Sequence, residues 1–476
     1  MAKELLSKTP FYKNEYFLLS LILACGVALR IFHLSTESIW LDEGISIILS
    51  RQDVAHIIQS AANDVHPPLY YIVLHYWMLL FGDSETGARS LSVLLSALSI
   101  VLTHKIARTL FNKPTALLSA GLLSISVFHI REAQESRMYT LLLLLSLLAF
   151  HLAQRALHQK KTSTVLLVVL CNCALLYTHL FGFFTIAAQS IYLLYLYASK
   201  NISALEFLKG VGVFVFILAS FSPWISILLQ QMQYFKSAHH IAHPGLLEPL
   251  YALYSFDGSK ILFAAFTLLA AKGVWMTIKQ KKEFYFLSLW LLCPLLLPIL
   301  ISQFSSSIFL HKYAIVASVP YYIFVAKGVA DLHNKFGKAG LITFVIFFSA
   351  VPLKNYYLTT KKEEWRQVYQ HLSNQVKNGE TIVFHAKYVK KNAFDYYAKK
   401  NQFNELVFPL NDKDIDSNNI SELKDIIQEK KQIWLVISHA HDDHHLLQKE
   451  ILTRYKITEH STFVGIELYH IENTEK

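Results

Sequence analysis

Residues Tyr16 to Leu34 read YFLLSLILACGVALRIFHL, nineteen residues in which Arg30 is the one full charge. A helix needs about 20 mostly apolar residues to cross the hydrocarbon core of a bilayer, so this stretch predicts a membrane span. Lys3, Lys8 and Lys13 precede it, as basic residues precede the apolar core of a signal peptide. No small-residue cleavage site follows, so an uncleaved anchor with a cytoplasmic N-terminus is expected. Working outward, apolar runs of similar length recur at 86–110, 114–130, 138–155, 164–180, 183–199, 210–229, 260–278, 284–303, 312–330 and 339–354. About eleven transmembrane helices are therefore expected.

The whole chain agrees with that reading. Of 476 residues 53% are hydrophobic and only 16% charged, with mean hydropathy +0.34; a soluble domain carries about 25% charged residues. A soluble enzyme, a disordered chain and a nucleic-acid binder are all excluded. The net charge is +10, yet from Asn355 onward 17 basic residues face 18 acidic ones, so the basic excess lies in the apolar part. It lies in alternate connections: Lys105, Arg108 and Lys113; Arg155, Lys160 and Lys161; Lys200 and Lys209; Lys279, Lys281 and Lys282; Lys327, Lys335 and Lys338. The first outer loop, 35–85, has Arg51 alone against Glu37, Asp42, Glu43, Asp53, Asp64, Asp83 and Glu85. Cytoplasmic loops collect Lys and Arg, so the asymmetry predicts a multi-pass protein of the cell membrane with N-terminus inside and tail outside. The cysteines Cys25, Cys171, Cys173 and Cys293 all lie in apolar runs and read as packing residues.

The expected organisation is a transmembrane domain over 1–355, including the large first loop, and a soluble extracytoplasmic α/β domain over 356–476. In that tail, 362–377 has helical periodicity, 381–384 and 433–437 read as strands, the second leading through a loop into a helix ending at Leu452, and 463–471 alternates like a third strand.

Three outer segments concentrate groups able to do chemistry. Ser38-Ile-Trp-Leu-Asp-Glu-Gly44 sets an acid pair, Asp42 and Glu43, just beyond a membrane helix. There a partly desolvated carboxylate can act as a base; an ordinary solvated acidic loop would read the same. Asn63-Asp-Val-His-Pro-Pro-Leu-Tyr-Tyr71 places His66 before two prolines that start a helix, a plausible phosphate site or a plain interfacial helix. His129-Ile-Arg-Glu-Ala-Gln-Glu-Ser-Arg-Met-Tyr139 crowds Arg131, Glu132, Glu135 and Arg137 between apolar runs. Ionisable groups at that depth point to function, and Arg137 could fork onto a phosphate; local ion pairing is the alternative. Tyr177-Thr-His179 and His311-Lys-Tyr313 add further donors, or interfacial anchors, at outer span ends. In the tail, Ser438-His-Ala-His-Asp-Asp-His-His445 has the H-x-H-x-D-H spacing of metallo-β-lactamase-like zinc hydrolases. Only 31 residues follow His445, too few for the further ligands and sheets of that fold, so no catalytic metal site is expected.

Taken in order, WLDEGIS from Trp40, DVHPPLYY from Asp64, QESRMY from Gln134, Thr178-His179, His311-Lys-Tyr313 before VASVP, and EEWRQV from Glu363 resemble a known family. They are similar to the bacterial GT-C enzymes related to protein O-mannosyltransferases and aminoarabinose transferases, glycosyltransferase family 39. The resemblance implies a GT-C fold and transfer of a sugar from a polyprenyl-phosphate donor to an acceptor hydroxyl outside the cell, inverting the anomeric centre, as in glycosylation of the cell envelope. It puts Asp42 in the place of the general base with Glu43 beside it, and matches Glu135 and Arg137 to the acid and base of the second motif; Glu132 competes with Glu135. Donor-phosphate contacts fall to His66, Arg137, Tyr139, His179, Lys312 and Tyr313. Lys312 stands where the family usually has Arg, which keeps the charge and loses the bidentate fork.

No Gly-rich nucleotide loop is present, as suits a lipid-linked donor, and no cofactor is required. The loop acids could hold a divalent ion, but no ligand spacing demands one. The expected partners are the polyprenyl-phosphate sugar, membrane lipid and an acceptor that is a lipid, glycan or protein, with no nucleic acid. A transporter or flippase of lipid-linked or polar substrates is the alternative, although its charges would lie nearer the midplane, often in paired halves.

Overall fold

Every one of the eleven apolar runs is helical. The structure, a computed structural model, describes residues 14–237, 242–398, 402–409, 415, 420–428, 430–439, 446–447, 449 and 455–473. In chain order the helices before the tail are α1 (Glu15–Ile31), α2 (Leu41–Ser50), α3 (Val54–Ala62), α4 (Leu69–Phe81), α5 (Glu85–Leu110), α6 (Lys113–Ile125), α7 (Val127–Ala133), α8 (Tyr139–Gln159), α9 (Thr162–Thr178), α10 (Gly182–Ala198), α11 (Ala204–Ser220), α12 (Ser222–Ser237), α13 (Glu248–Asp257), α14 (Lys260–Thr277), α15 (Lys281–Ser302), α16 (Ser318–Ala330) and α17 (Lys335–Leu358). Among the described residues six helices are long and apolar enough to cross a membrane, or eight if two bent pairs each count as one span.

Those bent pairs fall on the apolar runs 114–130 and 210–229: α6 and α7 meet at 59°, and α11 and α12 at 58°. The first bend falls at Ser126, whose extended backbone ends α6 and whose hydroxyl caps α7 by accepting from His129 N–H at 3.4 Å. That is helix-capping chemistry inside an apolar run.

The chain divides into two compact units, one of Met1–Phe32, Gln52–Asp83 and Gly87–Leu358, the other of His33–Arg51, Ser84–Thr86 and Thr359–Lys476. The long loop 35–85 is thus shared between them. In the first unit Arg30, the charge of the opening span, is fully buried. It donates to Ser96 Oγ (2.8 Å), Gly26 O (2.8 Å), Ser124 O (2.9 Å) and Leu123 O (3.1 Å), so hydrogen bonds to α1, α5 and α6 offset part of the cost of its burial. Helices α14 and α16 approach backbone to backbone. A Cβ on Gly273 would lie 1.9 Å from Phe324 O, and one on Gly328 2.1 Å from Leu269 O. Small residues at such crossings are what helices need where lipid supplies no hydrophobic drive.

The second unit is built on a five-stranded sheet of order β2-β1-β3-β5-β4. Its strands are β1 (Thr381–His385), β2 (Asn404–Phe408), β3 (Gln432–Ile437), β4 (Tyr455–Phe463) and β5 (Ile466–Asn473), with helices α18 (Trp365–Gln375), α19 (Lys387–Asn392) and α20 (Ile420–Gln428). β1 is parallel to β2 and β3; β5 is antiparallel to β3 and β4. Strands β1 and β3 are buried on both faces, which is why they read as continuous apolar runs. One face holds Ile382, Phe384, Trp434 and Val436 with Trp365, Val368 and Leu41; the other holds Val383, Ile433 and Leu435 with Leu423 and Leu447. The expected strand at 463–471 is corrected: Val464 and Gly465, at φ +74°, turn the chain between β4 and β5. Strand β2 lies outside the expected strands; its apolar residues are only Leu406, Val407 and Phe408, and its burial is partial.

Candidate active site

The first unit gathers six of the expected donor-site residues. Pro67 and Pro68 lead into α4 and leave His66 buried at its entrance. Two locks hold that turn: Tyr71 donates to Asp64 Oδ2 at 2.7 Å, and Gln231 Nε2 donates to Ala61 O at 3.3 Å and to Asp64 O. His179 sits in extended backbone between α9 and α10, and its Nδ1 accepts from Phe181 N–H at 3.1 Å. The proton is therefore on Nε2, which has no hydrogen-bond partner among the described residues although His179 is only 2% exposed. The rings close up: His66 lies 4.9 Å from His179 and 6.1 Å from Tyr313, His179 4.7 Å from Tyr313, and Tyr139 stacks on Tyr313 at 5.9 Å. Lys312 Nζ stands 5.2 Å from the centre of the Tyr139 ring, a cation–π contact. Arg137, 5% exposed, acts electrostatically on His66, His179 and Tyr71.

Burial first, then His179, Arg137 and Lys312, holds the His66 imidazole well below its ordinary range. It is neutral near pH 7 and can donate one N–H. The cluster so formed carries two cations, two neutral imidazoles and two phenols.

The turn bearing Glu135 and Arg137 is set by a residue the motif contains but sequence reasoning gave no role. Gln134 Nε2 donates to Arg30 O (3.0 Å) and Phe32 O (2.7 Å), and its Oε1 accepts from Tyr356 OH (2.8 Å), so it pins the turn to the ends of α1 and α17. Its position between two acids gave a hint; Gln231, some 170 residues from its partner Ala61, gave none. Glu132 takes both Arg131 Nε and Nη2 on Oε1 at 3.1 and 3.0 Å, while Glu135 is buried and feels the Arg131 charge.

The acid pair lies in the second unit, in the first turn of α2, where the helix dipole favours carboxylates. The two acids differ. Glu43 is fully buried and bound by Lys362 Nζ at 3.0 Å; Asp42 is partly exposed. Glu363 Oε2 accepts from Leu41 N–H (3.3 Å) and Trp365 Nε1 (2.6 Å), which joins the EEWRQV segment to the start of α2. A Cβ on Gly44 would lie 1.6 Å from Asn392 O, so only glycine lets α2 lie against the end of α19. Of the histidine cluster, His439 is described and pairs with Glu363; 440–445 lie outside the described residues. No group of three His, Cys, Asp or Glu suited to a metal occurs among the described residues.

Comparison with known proteins agrees with the motifs. The family model described as dolichyl-phosphate-mannose-protein mannosyltransferase matches residues 65–227. Undecaprenyl phosphate-alpha-4-amino-4-deoxy-L-arabinose arabinosyl transferase 1 of Pseudomonas fluorescens is 28% identical over 250 residues, 47% of this chain; the match spans 44% of that relative's length. The crystal structure of ArnT from Cupriavidus metallidurans, solved apo and bound to undecaprenyl phosphate, superposes over 95% of this chain and 97% of its own with TM-score 0.61 at 12% identity. The Archaeoglobus fulgidus oligosaccharyltransferase covers 90% of this chain and 70% of its own, with TM-score 0.56 at 12% identity. The fold is that of the GT-C glycosyltransferases, a multi-pass membrane fold, and the resemblance drawn from the motifs is borne out.

Proposed function

We propose that this chain, a GT-C protein by fold, transfers a sugar from a polyprenyl-phosphate carrier to an acceptor hydroxyl on the extracytoplasmic face, with inversion. The observation that carries the reading is the buried cationic and aromatic cluster of the first unit, with the His179 Nε2–H left without an acceptor among the described residues. A dehydrated set of donors of this kind suits an anion, and the anion available at a membrane surface to such a fold is the carrier phosphate. As the anomeric C–O bond to the phosphate breaks, Arg137, Lys312, His66, His179 and the phenols of Tyr139 and Tyr313 stabilise the charge on the leaving group. Asp42 takes the proton of the acceptor hydroxyl as its oxygen bonds the anomeric carbon from the opposite side. Glu43, committed to Lys362, holds the α2 turn. Glu135 orients Arg137.

The sugar is a hexose or a pentose, as the names of the matched family and relative each suggest. No ligand spacing demands a metal for this displacement, although the loop acids could hold a divalent ion; transfer that persists in EDTA is the expected result, and its loss would show that an ion takes part. Titration of purified protein with undecaprenyl phosphate tests the site itself. The wild type should bind, and Arg137→Ala and Lys312→Ala should each weaken binding by about 10–150-fold, as charge-assisted hydrogen bonds of about 1.5–3 kcal/mol require. Equal affinity in all three would move the phosphate elsewhere.

A further inference from the structure

We propose that a cavity among α8, α9, α10 and α11 binds one anionic phospholipid from the membrane leaflet that faces the basic connections. The site lies wholly in the first unit and does not depend on the transfer reaction.

Its two-sided character follows from where its residues stand on the helices. The cavity has a volume of about 1040 Å³, the upper end of the range of about 300–1,000 Å³ that ligand pockets occupy. Gln154, Lys160, Thr162, Ser203, Glu206 and Lys209 line it. They stand near the end of α8 and at the starts of α9 and α11, which forms a polar mouth. Phe150, Val168, Leu193, Phe214 and Phe286 line it farther from those ends. A polar, charged mouth above apolar walls matches the division between the head and the chains of a phospholipid.

Two glycines shape α11 there. A Cβ on Gly210 would lie 2.5 Å from Leu193 Cδ2, so α11 sits close on α10. A Cβ on Gly212 would meet nothing within 4 Å, so that position leaves the cavity open. Beside the cavity Leu166, Leu170, Leu205 and Leu208 are exposed, a surface suited to hydrocarbon in a fold that spans the membrane. The bilayer is therefore the source of the occupant.

Charge selects the lipid. Between Phe150 and Phe216 the sole acid is Glu206, against Arg155, Lys160, Lys161, Lys200 and Lys209. That acid is committed. Its Oε1 takes Lys160 Nζ at 2.5 Å, and its Oε2 accepts from Ser203 N–H at 2.8 Å and Ser203 Oγ at 2.9 Å. The ion pair joins the end of α8 to the start of α11 across the mouth. Lys160 at φ +51° and Lys200 at φ +57° end their helices in the left-handed conformation, where glycine or asparagine is usual. Basic pockets between transmembrane helices suit anionic head groups, and the connections that carry these residues are predicted to face the cytoplasm.

The carrier's phosphate has a different place. Thr162 at the mouth and His179 in the donor cluster stand at opposite ends of α9, about 25 Å apart at 1.5 Å per residue. One head group cannot reach both.

The test is native mass spectrometry of the full-length protein, titrated in detergent with dioleoyl phosphatidylglycerol, dioleoyl phosphatidylcholine or a phosphate-free polyprenol. One phosphatidylglycerol should bind about tenfold more tightly than either of the others, as a net negative charge among several basic residues requires. Lys209→Glu reverses an exposed charge at the mouth. It should weaken phosphatidylglycerol by about 25-fold, two charge steps of about fivefold each, and leave phosphatidylcholine and undecaprenyl phosphate unchanged. Gly212→Phe fills the cavity with a residue better suited to a helix than glycine, and should weaken both phospholipids. In nanodiscs, phosphatidylglycerol with a diazirine on its acyl chain should label 210–216. Equal affinity for the two phospholipids, an undiminished affinity in Lys209→Glu, or label only outside the cavity would mean bulk lipid and overturn the proposal. Tighter binding of the polyprenol would give the cavity to a prenyl chain and also overturn it. If Gly212→Phe fails to fold, Lys209→Glu and the labelling decide.

Discussion

At the scale of single residues, the acid pair divides into one group for chemistry and one for structure. Asp42→Asn keeps shape and removes the proton acceptor. It should lower transfer by about 10²–10⁴-fold, the worth of a general base, with little change in thermal midpoint or carrier affinity. Glu43→Gln leaves Lys362 buried without its counter-charge, and breaking a buried pair costs about 3–5 kcal/mol. Its melting curve should therefore fall steeply where that of Asp42→Asn does not; equal stability of the two would return the roles to ambiguity. His66 supplies a pH prediction. Its folded-state pKa lies below the unfolded one, so the unfolded chain takes the proton first. That share of stability is complete above about pH 6.5 and is lost as pH falls. His66→Gln should flatten the acid side of a plot of thermal midpoint against pH. The sequence showed the types of these residues and their order. It did not show that Glu43 is committed to a lysine 319 positions away, because such pairing exists only after folding.

Secondary elements were legible where one rule decided them and illegible where a contact did. Apolar length marked the eleven expected runs but not the helices α2, α3, α4 and α13 between them, and the two-sided burial of β1 and β3 showed as unbroken hydrophobic strands. The bend at Ser126 did not show, because one serine capping a helix inside an apolar run leaves the hydropathy unchanged. Nor did β2, an edge strand whose burial is partial. The seating of α2 was also hidden, although Gly44 marks it. Gly44→Ala sets a methyl against the Asn392 carbonyl, backbone that cannot turn aside. Overpacking of this kind costs about 1–3 kcal/mol. Faster hydrogen exchange over 41–50 and 387–392, with exchange in α14 and α16 unchanged, is the expected result. Unaltered exchange would mean that α2 and α19 do not rely on this contact.

At the scale of the molecule, the alternation of basic and acidic connections predicts an orientation and the fold gives a class. The first outer loop and the tail should both face outside. Single cysteines at Asp83 and at Glu467, in a background lacking Cys25, Cys171, Cys173 and Cys293, should react with an impermeant thiol reagent on intact cells. Reaction of the Glu467 site only after permeabilisation would reverse the tail. The class was readable because six short motifs kept their order over most of the chain; the sugar was not, because specificity lies in shape that spacing does not encode. The most direct measurement is transfer by purified wild-type protein and Asp42→Asn, each given a radiolabelled polyprenyl-phosphate sugar and extracted envelope acceptors. Label should pass to acceptor with equal release of polyprenyl phosphate in the wild type, and not in Asp42→Asn although both bind the carrier. Label that stays on the carrier with wild-type protein, or crosses a vesicle bilayer unchanged, would contradict the account and favour a transporter.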